Sequence, residues 1–117
     1  MRVELGRVRR GILVCAAVLV MSGALPEMAA AARKPVTHTV TIDASRFQPD
    51  TLTVTRGDTV VWVNDDLVAH TATSQPGAFD SGLIAPGKSW KYKTKRAGEF
   101  AYTCTYHPTM MATLRVE

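Results

Sequence analysis

The chain has 117 residues, 46% of them hydrophobic, and a formal charge of +4. That length holds one domain, and so small a charge excess leaves no electrostatic footprint for nucleic acid. With two cysteines, one bridge is the most the chain could form, so a disulfide framework is excluded.

The first 32 residues read as an export signal outside the fold. A basic start (Arg2, Arg7, Arg9, Arg10) precedes an apolar run from Gly11 to Leu25, and the small residues Ala29 to Ala32 suit a signal peptidase. The run is shorter than the about 20 apolar residues of a bilayer span. Arg9-Arg10-Gly11-Ile12-Leu13 is similar to a twin-arginine signal, which places the mature protein in the periplasm. Cleavage before Arg33 leaves residues 33–117 as a single domain. It also removes Cys15, so Cys104 becomes a lone thiol with no intrachain partner. In an oxidising compartment a free thiol pairs or oxidises unless something occupies it.

From Arg33 onward there are ten Lys and Arg against eight Asp and Glu, a mild +2. The segments alternate with period two and are rich in Val, Thr, Trp, Tyr and Phe, the mark of half-buried strands. A first strand over 36–44 turns Val40 and Ile42 to one face. A second over 51–56 turns Leu52 and Val54 inward, and Gly57-Asp58 is a turn. The third, 59–64, is apolar on both faces from Val60 to Val63 and should be central. Residues 65–69 break the pattern, and Gln75-Pro76-Gly77 marks a further loop. A strand over 88–95 sets Trp90 and Tyr92 against Lys91 and Lys93. Phe100, Tyr102 and Cys104 then alternate, and Ala112, Leu114 and Val116 close the chain. About seven short strands with turns between them predict an all-β sandwich or Greek-key barrel.

The stretch Cys104-Thr105-Tyr106-His107-Pro108-Thr109-Met110 carries the chemistry. Its cysteine, histidine and methionine recur at intervals of three where strand alternation stops, so a strand end and a loop can bring all three together. Thiolate and thioether are soft and favour Cu(I), imidazole suits Cu(II), and two histidines, one cysteine and a distant methionine form the ligand set of electron-transferring copper sites. A second histidine is required. His38 sits on the opening strand with no loop or ligand neighbour and reads as a solvent-accessible strand-end residue. His70 stands where the 65–69 loop returns to regular structure, the usual position for a ligand.

These motifs resemble the cupredoxins, in particular the small blue copper proteins of amicyanin and plastocyanin type. The spacing from Cys104 through His107 to Met110 is the short amicyanin-like ligand loop, and Val61-Trp62-Val63-Asn64 resembles the strand ahead of the first histidine ligand. The resemblance implies a cupredoxin-like Greek-key sandwich of seven to eight strands holding one Cu(II)/Cu(I) ion on His70, Cys104, His107 and Met110. It also implies that Asn64 ties the first-histidine loop to the cysteine loop through Thr105, beyond the ligands themselves. Ala69 and Tyr106 depart from prolines common in the family, which bears on loop shape. Met111 is a register alternative to Met110, and spacing selects Met110.

The resulting expectation is a monomeric one-electron carrier with no enzymatic activity and no small-molecule substrate. It would dock a donor dehydrogenase and a cytochrome acceptor through an apolar patch around His107 that includes Pro108, Met110, Leu67 and Val68. A copper chaperone or storage protein is the alternative, but would be richer in methionine than residues 33–117, which hold only Met110 and Met111. A Cys104–His107 nucleophile pair lacks an orienting acid or oxyanion motif, and methionine is a poor zinc ligand.

Overall fold

The computed structural model describes residues 33–117 apart from Pro76, together with Gly11 and Gly23. The expected export signal, residues 1–32, otherwise lies outside the described residues. Eight strands follow in order: β1 (Thr37–Asp43), β2 (Arg46–Gln48), β3 (Thr51–Val54), β4 (Thr59–Asn64), β5 (Thr73–Ser74), β6 (Ser89–Lys93), β7 (Gly98–Cys104) and β8 (His107–Val116). They form two four-stranded sheets, ordered β2-β1-β4-β6 and β3-β8-β7-β5.

The period-two pattern has its expected physical outcome. Val40, Ile42, Val60 and Trp62 from the first sheet meet Tyr102, Cys104, Leu114 and Val116 from the second, and all are buried. β4 is central, flanked by β1 in parallel and β6 in antiparallel register, as its apolar character on both faces requires. β6 is an edge strand whose Lys91 and Lys93 are exposed, a charge pattern that discourages edge-to-edge pairing. Trp62 anchors the core, with ring centroids 5.4 Å from Phe79, 5.5 Å from Trp90 and 5.6 Å from Tyr102. Two strands, β2 and β5, were not anticipated from the sequence.

A tight two-residue turn, Ala44-Ser45, joins β1 to β2, with Asp43 paired to Arg46. Both turn residues have positive φ, 48° and 56°, a conformation that fits the strand twist but disfavours side chains beyond glycine, asparagine and aspartate.

The Gly57-Asp58 turn has a stronger role than punctuation. Gly57 takes φ 94°, and Asp58 N donates to Thr55 O at 2.9 Å. This turn buries the Asp58 carboxylate, 1% exposed, among four donors. Oδ1 accepts from Arg33 Nη2 at 2.6 Å and Val36 N at 2.9 Å, while Oδ2 accepts from Thr55 N at 3.1 Å and lies 2.9 Å from His38 Nε2. His38 keeps its expected place at a partly accessible strand end but is also tied to a carboxylate. The Val36 amide above all holds Asp58 well below the usual carboxylate range. Burial opposes the shift, and His38, Thr55 and Arg33 reinforce it.

A depressed folded-state pKa contributes stability that is complete above the ordinary value of 3.8 and is lost as pH falls through the folded value. Asp58→Asn should lower Tm at pH 7 by about 5 °C or more, and the gap to wild type should narrow steadily as pH falls below the ordinary value of 3.8. Thermal melts across that range check it, and a gap independent of pH would contradict it.

Candidate metal centre

β7 delivers Cys104 at the end of the inward series Phe100, Tyr102, Cys104, and the thiol is fully buried. Cys104 then faces His107 across the two-residue turn Thr105-Tyr106. One step back, Thr103 faces Met111, where an unbroken ladder would place Pro108. Pro108, Thr109 and Met110 are thus extra residues in β8, and a proline with no amide hydrogen suits a stretch that leaves the ladder. The slip also separates the two methionines. Met110 is 3% exposed and Met111 69%.

His70 arrives from the other side, on the loop that leaves β4. Asn64 closes that loop: its side-chain amide donates to Val68 O and Ile84 O, both at 2.8 Å, and its Oδ1 accepts from Asp66 N at 2.9 Å. His70 itself is pinned to Ile84 by a reciprocal backbone pair of 3.2 and 2.7 Å. Its imidazole is fully buried, and Nε2 lies 2.9 Å from Asp66 Oδ2. A carboxylate at Nε2 keeps the proton there and leaves the Nδ1 lone pair free.

That Nδ1 is buried and has no hydrogen-bond partner, a condition shared among the described residues only by Trp62 Nε1. Leaving such an atom unpaired costs about 1–3 kcal/mol, so its presence asks for an acceptor of the lone pair. The donor atoms of His70, Cys104 and His107 lie within 4.8 Å of one another. Cys104 Sγ and His107 Nδ1 are 3.6 Å apart, close to the about 3.5 Å edge between donors bonded to one first-row metal at about 2.0–2.3 Å. The orphaned nitrogen and the soft donor set fit a single bound metal ion.

The local electrostatics favour a thiolate. Burial alone would raise the Cys104 thiol, but the Thr71 N–H at 3.4 Å, the His107 side chain and the amides of Tyr106 and His107 carry it below its ordinary value. Asp66 is likewise held below the usual carboxylate range, first by the Ser45 amide and then by His70.

Two features of the site differ from the sequence expectation. Asn64 does not reach Thr105, because both of its amide hydrogens go to carbonyls around its own loop. Thr71 makes the tie instead: its Oγ1 accepts from Thr105 N at 2.9 Å and lies 3.3 Å from Thr105 Oγ1. Thr71 and Asp66 escaped the sequence reading. An acidic residue four before a histidine was visible, but nothing in a loop spacing says that the two side chains meet.

A β-sandwich that gathers a buried cysteine and two imidazoles on the loop after β4 and at the turn from β7 to β8, with a buried methionine three residues farther along β8, defines a small mononuclear metal-binding protein. The chain belongs to the cupredoxin family, since the model of the cupredoxin-like domain matches residues 12–116. It is similar to amicyanin of Paracoccus versutus, 29% identical over 83 residues that cover 67% of this chain and 63% of that one. It is also similar to the chloroplastic plastocyanin of Chlamydomonas reinhardtii, 35% identical over 75 residues, 55% of this chain and 52% of the relative. The chain thus spans between half and two thirds of the length of these relatives. Among solved structures, a mutant of amicyanin in its reduced Cu(I) form superposes with a TM-score of 0.65 at 25% identity, over 74% of this chain and 85% of that one.

Proposed function

We propose that this protein is an exported electron carrier that holds one copper ion on His70, Cys104, His107 and Met110. The observation that carries the reading is the unpartnered, buried Nδ1 of His70 beside a thiol biased toward its anion. Copper bound there would alternate between Cu(II) and Cu(I), supplying the one-electron chemistry. The chain's own contribution is rigidity. Cys104 and His107 are paired across a tight turn, and His70 is pinned to Ile84, so the donors keep their places whichever charge they face. Met110, buried where Met111 is exposed, is the thioether of choice, and a soft sulfur pair favours copper over zinc.

His107 is half-buried while His70 and Cys104 are wholly enclosed, which makes its ring the exit for the electron. Around it and on the neighbouring loops stand Leu67 at 93% exposure, Tyr106 at 64% and Leu83 at 63%, with Val68 and Pro108 also exposed. This apolar face suits brief docking to redox proteins. Met110, expected to help form it, is buried and adds nothing to it. The signal expected at residues 1–32 supports a periplasmic location for the carrier.

Titrating the purified domain with Cu(II) tests the reading. A single equivalent should produce an intense visible thiolate-to-copper band and a reversible one-electron wave. A colourless protein that takes only Cu(I) would point to a storage or chaperone role instead.

A further inference from the structure

Among the described residues, Asp66 is the one charged side chain hydrogen-bonded to a candidate ligand, and it is held from several directions. Its Oδ2 accepts from Ser45 N at 2.8 Å and from His70 Nε2 at 2.9 Å, Oδ1 accepts from Leu67 N at 3.1 Å, and its own amide donates to Asn64 Oδ1. The Ser45 amide is aimed by the Ala44-Ser45 turn, whose two positive-φ residues are an unfavourable choice for so tight a connection. The hairpin of the first sheet thus presents an N–H to a carboxylate in the histidine loop. Nothing in the strand pairing of β1 with β2 calls for that contact.

We propose that Asp66 is a positioning residue and a fixed counter-charge for the metal centre, acting through His70 to favour the more highly charged oxidation state. The inference rests on copper being bound at His70. A carboxylate hydrogen-bonded to the far nitrogen makes the imidazole a stronger donor at Nδ1, and its negative charge is felt more by Cu(II) than by Cu(I). Asp66 therefore lowers the reduction potential. Asparagine is the informative replacement, because its carbonyl oxygen accepts the same two hydrogen bonds while the charge disappears.

The test compares wild type, Asp66→Asn and Asp66→Glu, each checked for folding by thermal melt of the apo form. Cu(II) and Cu(I) dissociation constants are measured by competition with chromogenic chelators, and the potential by voltammetry, all at pH 7. In D66N, Cu(II) affinity should fall about tenfold or more relative to Cu(I), seen as a rise of about 59 mV per tenfold for a one-electron couple. D66E, which keeps the charge, should hold the potential near wild type even if both affinities drop. Equal weakening of both oxidation states in D66N, with the potential unmoved, would reduce Asp66 to a loop brace and overturn the inference while copper binding stands. The inference falls equally if D66N does not fold and D66E shifts the potential. Wild type that takes up no copper removes the copper reading and this inference together.

Discussion

Cys104→Ser should abolish the visible thiolate band of the copper-loaded protein and weaken Cu(II) binding by more than the 10- to 100-fold typical of losing an outer contact. Cys104 is fully buried, receives the Thr71 amide hydrogen and lies 3.6 Å from His107 Nδ1. A serine hydroxyl is shorter, harder and not ionised at neutral pH, so it offers copper neither the soft anion nor the covalent bond. The apo fold should survive within about 1–2 kcal/mol, since the hydroxyl can accept from Thr71 as the sulfur did. Absorption, chelator competition and a thermal melt of the apo form separate these effects. An undiminished visible band in the serine variant would refute the assignment of the site.

Trp62→Ala carries the largest expected cost to folding. Trp62 lies in the middle of β4 with no exposed surface, in contact with Phe79, Trp90 and Tyr102. Truncating such a residue costs about 3–5 kcal/mol. A domain of this size has about 4–13 kcal/mol in total, so the apo variant loses a large share of its stability. Copper at 1,000 times its dissociation constant would return about 4 kcal/mol. Urea denaturation with and without copper should show a much lower midpoint for the apo variant and substantial recovery on loading. Trp62→Phe should cost far less, because it keeps an aromatic ring and deletes the unpartnered indole N–H. Equal losses for Ala and Phe would deny the packing account.

The core strands were legible because each is long enough to show period two. Val40/Ile42, Val60/Trp62 and Phe100/Tyr102/Cys104 repeat often enough to fix a face. β2 has three residues and β5 two, too short for any period to appear, and β2 exists because a strained turn folds Arg46–Gln48 back onto β1. Phe47, a core residue, was missed with it. That Cys104, His107 and His70 could come together was readable from residue chemistry and spacing, and their donor atoms do meet. Their surroundings were not, because Asp66 meets His70 and Thr71 meets Thr105 only once two loops have closed. The partner of His38 was hidden for the same reason, since Asp58 lies twenty residues away.

β8 is laid down between β3 on one side and β7 on the other, pairing Thr51–Val54 with Thr113–Val116 in parallel. It therefore cannot settle until strands made some sixty residues apart have come together, the slow kind of contact for a chain to form. The segment that carries His107 and Met110 is the front of that same strand. A chain that has not completed this pairing consequently has the thiol of Cys104 without the folded arrangement of His70 and His107 around it. The three donors therefore come within reach of one another only in copies that have completed their final strand pairing.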